Sequence, residues 1–473
     1  MNNKKDTAAD SSLSFDQRLE TLLTKKRVIK FELWLALLLA VIGAGLINIY
    51  ALMAIKGAEK DASPIERAIH GAARGIEIAK HLATDAINNY NPRLARGQRF
   101  KGEAGWTLPK GAAPAGMAVV LSRYDGDEKR GLVEFVDLDT GALIHSWRPD
   151  VDAINALSKT PERISHLKRD YGLRRYIETD PFVLSDGSLL YHGMGSPLVR
   201  IDACSRVIWT LDGDFHHSIE PDANGDFWTV ESFHPPTIPF VDSEFDDDAI
   251  AKISPDGHAL YRKSAAQILI DAGLQHVVYS HDEYDPDPIH LNDVQPVLED
   301  GPYWKRGDLF LSLRNPSMIL LYRPSTNAVV WSRQGPWLMQ HDFDIVSDHE
   351  IAVFNNNTAA TPKGGKTIGS NNIVVYDFAT EGTREPFAAG FLQNHIRTET
   401  NGLFRFLPDG SVMVEEHDYG RLLALGPDGA VRWSFVNRAP KDGRVYHLGW
   451  SGAVSAERAA EIRNALAQTG CGE

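Results

Sequence analysis

Hydrophobic and polar positions divide the chain into three parts that differ in period. Residues 33–55 are almost continuously apolar, with Asn48 as the one strongly polar side chain, and a helix of that length would cross a hydrocarbon core of roughly 30 Å. Basic side chains concentrate at positions 25–30, before this stretch. The pattern predicts a membrane helix over 31–55, with residues 1–30 in the cytoplasm and the rest outside it. A cleaved signal peptide is the alternative, but its apolar region is usually only about 7–15 residues long.

The next segment, 56–95, has the spacing of a juxtamembrane amphipathic helix. Ser63, Pro64 and Glu66 have the residue types of an N-cap, a first helical position and a capping acid. Apolar residues then recur at steps of four and three until about Asn91. We expect this narrow stripe to pack on the domain that follows. A coiled-coil stalk that makes the protein a homo-oligomer is the alternative.

Beyond Gly116 the pattern changes to short β-type runs separated by turn dipeptides. Four-strand repeats are typical of propeller blades, and Asp-Gly and Asn-Gly turns favour hairpins. We therefore predict an all-β fold, a six-bladed β-propeller over 96–454, followed by a C-terminal helix and tail over 455–473. Helical insertions are expected over 152–169 and 264–272. The strand-turn-strand unit that ends in an aromatic residue occurs at 133–147, 199–209, 250–261, 320–331, 374–387 and 422–433.

Charge and cysteine content exclude some functions. The formal net charge of −14 argues against nucleic acid as a partner. Cys204 and Cys471 are the two cysteines, and both lie on the predicted extracytoplasmic side, where a disulfide between them is permitted. No cysteine or histidine spacing typical of a zinc site occurs, and no metal is predicted. The acidic loops 242–248 and 282–287 are interpreted as solvated turns rather than calcium sites.

Histidines recur at matching positions in three successive repeats, at or just before the start of a predicted inner strand. Loops and inner strands of a propeller converge at the end of its central channel, which is where such folds bind ligands. A single histidine in a turn is usually structural, but three at equivalent places favour a shared pocket. The side chains expected there are His216, His217, His290, Asn292, Arg314 and His341.

Several motifs resemble the arylsulfate sulfotransferase family. Within 290–357 they are, in order, HLNDV, GDLFLSLRNPSMILLYRP, NAVVW, QHDFDI and FNNN, and residues 400–433 resemble that family's last blades. The resemblance covers about Gly116 to Trp450. It implies a six-bladed extracytoplasmic enzyme that transfers a sulfuryl group from an aryl sulfate donor to a phenolic or other hydroxyl acceptor. The family works independently of the nucleotide donor PAPS, so no cofactor is expected.

The resemblance also implies catalytic roles for five residues. His341 matches the histidine that attacks sulfur and becomes a sulfohistidine, which would split one transfer into two steps. His290 and Asn292 match an HxN pair. Arg314 matches an arginine that would hold the sulfuryl oxygens. His217 matches the second member of a histidine pair and could take the proton of the acceptor hydroxyl.

Three further residues are assigned to substrate binding, namely His216, Asp287 and His417. Asp287 could instead orient the histidine that follows it. Ser218 stands where the family has an aspartate after the histidine pair, so the role of Ser218 is open.

Two functions other than sulfuryl transfer are compatible with a propeller of this kind. One is a non-catalytic propeller that serves as a scaffold or binding module of an envelope complex; the complete set of histidines, asparagine and arginine argues against it. The other is a quinone-dependent dehydrogenase, disfavoured by six rather than eight repeats and by the lack of a cysteine pair for the cofactor. The predicted location is the cytoplasmic (inner) membrane, crossed once, with the propeller in the periplasm.

Overall fold

The structure, a computed structural model, describes residues 33–56, 62–72, 93–159, 172–280, 282–362 and 364–471. Contacts divide the chain into two compact units, Met1–Asn91 and Pro92–Glu473. The predicted cytoplasmic segment 1–30 and the predicted helix beyond residue 72 lie outside the described residues.

The first unit is helical where it is described. Helix α1 is Leu33–Lys56, and residues 64–72 form helix α2. The N–H of Ser63 donates to Oε2 of Glu66 at 2.7 Å, and the N–H of Glu66 donates to Oγ of Ser63 at 3.3 Å, so the predicted capping box is present. Across the described residues, no helix meets the combined length and apolarity of a membrane span. The span therefore stays a prediction.

The second unit is an all-β, propeller-like domain of antiparallel sheets, which confirms the predicted fold class. Its described strands are β1 (Gly105–Thr107), β2 (Ala118–Asp125), β3 (Arg130–Asp137), β4 (Leu143–Trp147), β5 (Thr179–Val183), β6 (Leu189–His192), β7 (Ser196–Ile201), β8 (Val207–Pro221), β9 (Phe227–Phe233), β10 (Asp247–Ile253), β11 (Ala259–Ser264), β12 (Leu291–Pro296), β13 (Leu309–Leu313), β14 (Met318–Arg323), β15 (Ala328–Gln334), β16 (His341–Ile345), β17 (Glu350–Asn355), β18 (Thr358–Thr361), β19 (Gly364–Thr367), β20 (Asn372–Asp377), β21 (Gly382–Arg384), β22 (Leu403–Phe406), β23 (Val412–Glu416), β24 (Arg421–Leu425), β25 (Val431–Val436) and β26 (Gly452–Val454).

Four of the sheets are single blades: β26-β2-β3-β4, β12-β13-β14-β15, β16-β17-β20-β21 and β1-β25-β24-β23-β22. In the first of them, β26 pairs with β2 in the register Ala118↔Val454, so strands from both ends of the domain complete one blade. A fifth sheet of seven strands, β5 to β11, contains two four-strand meanders that share the 15-residue strand β8. The predicted count of six blades requires these two meanders to be counted separately, and it stays a prediction.

Short helices connect the strands of this domain. Ser264 caps α4 (Ala265–Asp271) by accepting the N–H of Gln267, and Ser455 caps α7 (Ala456–Gln468) by accepting the N–H of Arg458. Both helices lie where the sequence predicts them. Helix α3 (Val151–Asn155) covers only the start of the insertion predicted over 152–169, most of which falls outside the described residues. The helices are α3 (Val151–Asn155), α4 (Ala265–Asp271), α5 (His276–Tyr279), α6 (Ala388–Gln393) and α7 (Ala456–Gln468), with 3-10 turns at Arg96–Gln98, Pro324–Thr326 and His417–Tyr419.

The first strands of the meanders line one axis. Strands β5, β8, β12, β16 and β22 contact one another in that order, and β26 contacts β5. Side chains also pass hydrogen bonds from one meander to the next. Asp180 Oδ2 accepts the N–H of Ile219 at 2.7 Å, and Asp342 Oδ2 accepts the N–H of Phe404 at 2.6 Å.

Ser218 takes part in the same pattern. Its hydroxyl oxygen accepts the N–H of Val294, in the next meander, at 3.1 Å. This is the bond that the carboxylates of Asp180 and Asp342 make elsewhere, because a hydroxyl oxygen is also an acceptor. The serine that replaces the expected aspartate therefore has a structural role between neighbouring strands.

A disulfide joins Cys204, in the turn between β7 and β8, to Cys471, just after α7. The two Cα atoms are 5.3 Å apart, and 267 positions separate the residues in sequence. Ala459, Ile462 and Leu466 of α7 are buried in the same hydrophobic cluster as Ala203, the neighbour of Cys204. The disulfide thus ties the C-terminal helix to the sheet on which it packs.

We predict that Cys471→Ser destabilises the second unit. Because the bond closes a long loop in the unfolded chain, its removal should lower the free energy of unfolding by about 2–4 kcal/mol. Thermal unfolding of oxidised wild type and variant would measure this as a lower midpoint. Cys204→Ser and the double variant are the matched controls, and both should unfold at the same midpoint temperature as Cys471→Ser. Equal midpoints for wild type and all three variants would contradict the prediction.

Candidate functional site

Three histidines from separate meanders meet at the axis. The ring centroid of His217, in β8, lies 5.2 Å from that of His290 and 6.3 Å from that of His341. The indole of Trp450 lies against two of them, 5.8 Å from His217 and 6.5 Å from His341. His217, His341 and Trp450 are buried. The structure thus brings the predicted histidines together and adds a tryptophan beside them.

The backbone turns sharply where these side chains enter the site. His217, His290 and Trp450 have φ of 65°, 50° and 66°, a left-handed region that non-glycine residues seldom adopt. The strand registers shift at His216/Ile219 and at His341/Phe343, and irregularities of this kind re-aim side chains. Strained positions cost on the order of 1–3 kcal/mol each and cluster at functional sites.

Hydrogen bonds determine which nitrogen of His341 carries a proton. The Nδ2 group of Asn356 donates to the carbonyls of Thr398 and Asn401 at 3.1 and 2.7 Å. Oδ1 of Asn356 must therefore face Nδ1 of His341, 2.7 Å away, and accept its proton. The lone pair of His341 is left on Nε2, which accepts the N–H of Asn401 at 3.1 Å. Burial, reinforced by the charge of Arg314, holds the pKa of His341 well below 6.5, so the ring is neutral.

Arg314 follows β13 and is joined to the histidine segment by its backbone, since its N–H donates to the carbonyl of His290 at 3.0 Å. Its Nη1 donates to Oδ1 of Asn315 at 2.7 Å. Its Nε is buried and has no hydrogen-bond partner within the described residues. Burial lowers the pKa of Arg314, while the carboxylates of Asp287 and Asp418 oppose that shift. A guanidinium with an unused N–H is suited to an anionic group.

Asp287 and Asn292 hold the histidine segments in place. Oδ2 of Asp287 lies 2.6 Å from Nδ1 of His290, and because a carboxylate oxygen only accepts, Nδ1 carries a proton. Asn292 donates from Nδ2 to the carbonyl of Gln340 at 2.7 Å. That bond connects the strand after His290 to the residue before His341.

His216 lies behind His217, and their Nδ1 atoms are 2.5 Å apart. Nε2 of His216 lies 2.9 Å from Oγ of Ser232 and 3.2 Å from Oδ1 of Asp248. Burial opposes the charged form, but the carboxylate of Asp248 outweighs it and raises the pKa of His216. Burial lowers the pKa of His217 well below 6.5, and the charge of His216 lowers it further.

The prediction that loop 242–248 is a solvated acidic turn is wrong at its end. Asp247 and Asp248 are buried, and Asp248 accepts the N–H of Leu291 at 2.8 Å besides contacting His216. These residues open strand β10, so their carboxylates point into the domain rather than into water. No group of three or more histidine, cysteine or acidic side chains in the described ranges is arranged to hold a metal ion.

His417 lies apart from the three-histidine cluster and pairs with His447, with ring centroids 5.2 Å apart. Burial lowers the pKa of both to about 3. Four contributors were not predicted from the sequence: Asp248, Asn356, His447 and Trp450. The FNNN motif contains Asn356, but nothing in the pattern singles out the other three.

A family model described as arylsulfotransferase (ASST) matches residues 180–438. This is more than half of the chain and includes His217, His290, Arg314 and His341. The chain belongs to the arylsulfotransferase family. The resemblance inferred from the motifs is thereby confirmed, and the domain is aryl sulfotransferase-like.

Other comparisons of this arylsulfotransferase-family chain are more distant. No curated protein sequence matches it. A protein of unknown function from Bacteroides caccae aligns with 72% of this chain and 99% of its own, at 10% identity and a TM-score of 0.45. A chain of a nidogen/laminin complex aligns with 72% of this chain and 99% of its own, at 9% identity and a TM-score of 0.39. Streptogramin B lyase aligns with 59% of this chain and 80% of its own, at 11% identity and a TM-score of 0.34. Similarity this low supports no functional conclusion.

We predict that His447 makes the fold of this arylsulfotransferase-family domain acid-sensitive. The unfolded chain binds a proton at His447 below pH 6.5, whereas the folded chain does so only below about 3. Between these values the unfolded state binds more protons, so stability falls as pH falls. His447→Gln removes this contribution. The free energy of unfolding of wild type, relative to the variant, should therefore drop by about 2 kcal/mol from pH 8 to pH 5.

Urea unfolding at a series of pH values would measure how the difference in unfolding free energy between wild type and variant changes with pH. A constant loss of stability in the variant would not affect this change. His258→Gln, at an exposed turn position, is the matched substitution. A pH-independent difference between wild type and His447→Gln would contradict the prediction.

Proposed function

We propose that this chain is a sulfotransferase that moves a sulfuryl group from an aryl sulfate to a hydroxyl acceptor, through a sulfohistidine at His341 and without a nucleotide donor. The observation that carries the proposal is the state of His341. It is neutral, its Nδ1 proton is bound to Asn356, and its Nε2 lone pair belongs to a ring that faces His217 and adjoins Trp450. A histidine that acts as a nucleophile must be neutral and have a lone pair on the nitrogen that attacks.

In the first half-reaction, Nε2 of His341 forms a bond to sulfur as the bond between sulfur and the aryl oxygen breaks. The electron pair of that bond leaves with the phenolate oxygen. The Asn401 N–H that occupies Nε2 must give way before attack. Negative charge on the sulfuryl oxygens is met by Arg314, whose Nε has no other partner among the described residues.

In the second half-reaction, the oxygen of the acceptor hydroxyl forms a bond to sulfur as the bond between sulfur and Nε2 breaks. The electron pair returns to Nε2, and His341 is regenerated. The acceptor must lose its proton as it attacks, and His217 and His290 are the bases within reach of the same space. Trp450 supplies an aromatic face beside them, which suits an aryl substrate.

We also propose a six-bladed domain held at the inner membrane, on its periplasmic side. The blade count rests on treating the two meanders that share β8 as separate blades. The anchor rests on the apolar sequence 33–55 and on the basic residues before it. It is consistent with the exposure of Leu39, Val41 and Ile47 in α1. A tether of this kind would favour an acceptor or partner that is itself membrane-associated.

Replacing the nucleophile should abolish transfer. With 4-nitrophenyl sulfate and no acceptor, we expect wild type to release one equivalent of 4-nitrophenol and to retain one sulfuryl group on His341, found by intact-mass analysis and peptide mapping. His341→Gln should do neither, and with a phenol acceptor its kcat should be at least ~10³-fold lower.

His258→Gln is the matched control for this experiment, because it changes an exposed histidine remote from the site. It should turn over like wild type. If His341→Gln transferred sulfuryl groups as fast as wild type, the assignment of His341 would be wrong. If wild type itself neither bound nor turned over aryl sulfates, a non-catalytic scaffold would be the better conclusion.

The proposed membrane anchor predicts in which cell fraction the protein is recovered. The full chain should sediment with membranes and resist extraction by alkaline carbonate, because a spanning helix is not released by breaking electrostatic contacts. A chain that begins at Gly57 should be recovered in the supernatant. Release of the full chain by carbonate would contradict the proposed span.

A further inference from the structure

We propose that His216 stores, between the two half-reactions, the proton that the leaving phenol takes up and the acceptor later gives back. The inference rests on the proposed function, since it concerns the proton that accompanies each sulfuryl transfer. It makes His216 a positioning residue, because it acts through His217 and not on the substrate.

The hydrogen bonds on the Asp248 side of His216 require a proton on its Nε2. Oγ of Ser232 donates its hydrogen to Oδ1 of Asp248 at 2.8 Å, and an ionised carboxylate has no hydrogen to donate. Nε2 of His216, within reach of both oxygens at 2.9 and 3.2 Å, must therefore be the donor. Oδ2 of Asp248 is held by the N–H of Leu291, which keeps the carboxylate facing His216.

The 2.5 Å contact between the Nδ1 atoms of His216 and His217 also needs one proton between them, because two lone pairs would repel. His216 is the better donor, since its charge is paired with Asp248, with Asp214 and Asp246 also acting on it. Burial disfavours a positive charge on His217, and the imidazolium of His216 beside it adds to that effect. The resting state is therefore a His216 imidazolium whose Nδ1–H donates to a neutral His217.

This state determines the tautomer of His217. Its Nδ1 accepts, so its proton lies on Nε2. Within the described part of the chain no group forms a hydrogen bond to that nitrogen, which leaves Nε2–H available to the reacting oxygens. In the resting protein His217 can thus donate a proton but cannot accept one at Nε2. If His217 acted as a base without His216, it would instead need a lone pair on Nε2.

The first half-reaction reverses that arrangement. As the bond between sulfur and the aryl oxygen breaks, Nε2–H of His217 protonates the phenolate, and the Nδ1 proton of His216 moves to Nδ1 of His217. The aryl sulfate, with one negative charge, gives a neutral phenol and a sulfohistidine of no net charge, while His216 loses one positive charge, so the charge of the site is conserved. His217 now carries its proton on Nδ1 and has a lone pair on Nε2.

The second half-reaction restores the resting state. Nε2 of His217 removes the proton of the acceptor hydroxyl as its oxygen attacks sulfur, and the Nδ1 proton of His217 returns to Nδ1 of His216. The product sulfate regains one negative charge and His216 its positive charge. No proton is exchanged with solvent, which matters because both rings are buried.

The test compares two donors that differ in their need for a proton. 4-Nitrophenolate leaves without protonation, whereas the phenolate of phenyl sulfate is a stronger base and needs it. In single-turnover experiments without acceptor, His216→Phe should release 4-nitrophenol within about threefold of wild type but release phenol ~10²-fold more slowly, the usual contribution of a general acid. A variant whose site was merely distorted would be slowed equally with both donors.

Asp248→Asn provides a second variant that keeps both histidines and removes the charge paired with His216. It should release phenol from phenyl sulfate more slowly while 4-nitrophenol release is retained. If circular dichroism shows that His216→Phe does not fold, Asp248→Asn provides the test in its place. Equal slowing with both donors, or none, in the folded variants would overturn the inference while wild-type transfer stood. Absence of transfer in wild type would instead remove the proposed function itself.

Discussion

The architecture of this protein depends on hydrogen bonds that pass between the first strands of neighbouring meanders at the axis. A buried N–H left without an acceptor costs about 1–3 kcal/mol, and three of these strands find an acceptor on a side chain of the meander before them. Asp180, Ser218 and Asp342 make these bonds. Arg405 stabilises the acids among them, since its Nη1 binds Asp342 at 2.6 Å and the charge of Asp180 also acts on it.

The same strands position the candidate site, because two of its histidines immediately precede one of those acceptors. His217 comes before Ser218, and His341 comes before Asp342. A bond that fixes the acceptor therefore also fixes where the histidine enters the site. This relation explains how short, locally unremarkable segments, far apart in sequence, can hold side chains within 5–7 Å of one another across several blades.

Histidines of one site differ in charge because their partners differ. His341 has an amide oxygen on one side and Arg314 nearby, so burial leaves it neutral. His216 is also buried, but the carboxylate of Asp248 keeps it protonated. In a medium of low dielectric such a partner decides the balance between desolvation and attraction. The proposed nucleophile and the proposed proton store are thus the same residue type, placed beside acceptors of different charge.

The sequence by itself determined what depends on neighbouring residues: the β hairpins with their turn dipeptides, the capped helices at Ser63, Ser264 and Ser455, and the family motifs. Only the tertiary structure decided what depends on residues far apart. It joined Cys204 to Cys471, turned Asp248 from an apparent surface acid into the partner of His216, and placed Trp450 beside His341. The burial and the electrostatic environment of such residues depend on side chains from several strands that are far apart in sequence. A local sequence pattern therefore cannot predict them.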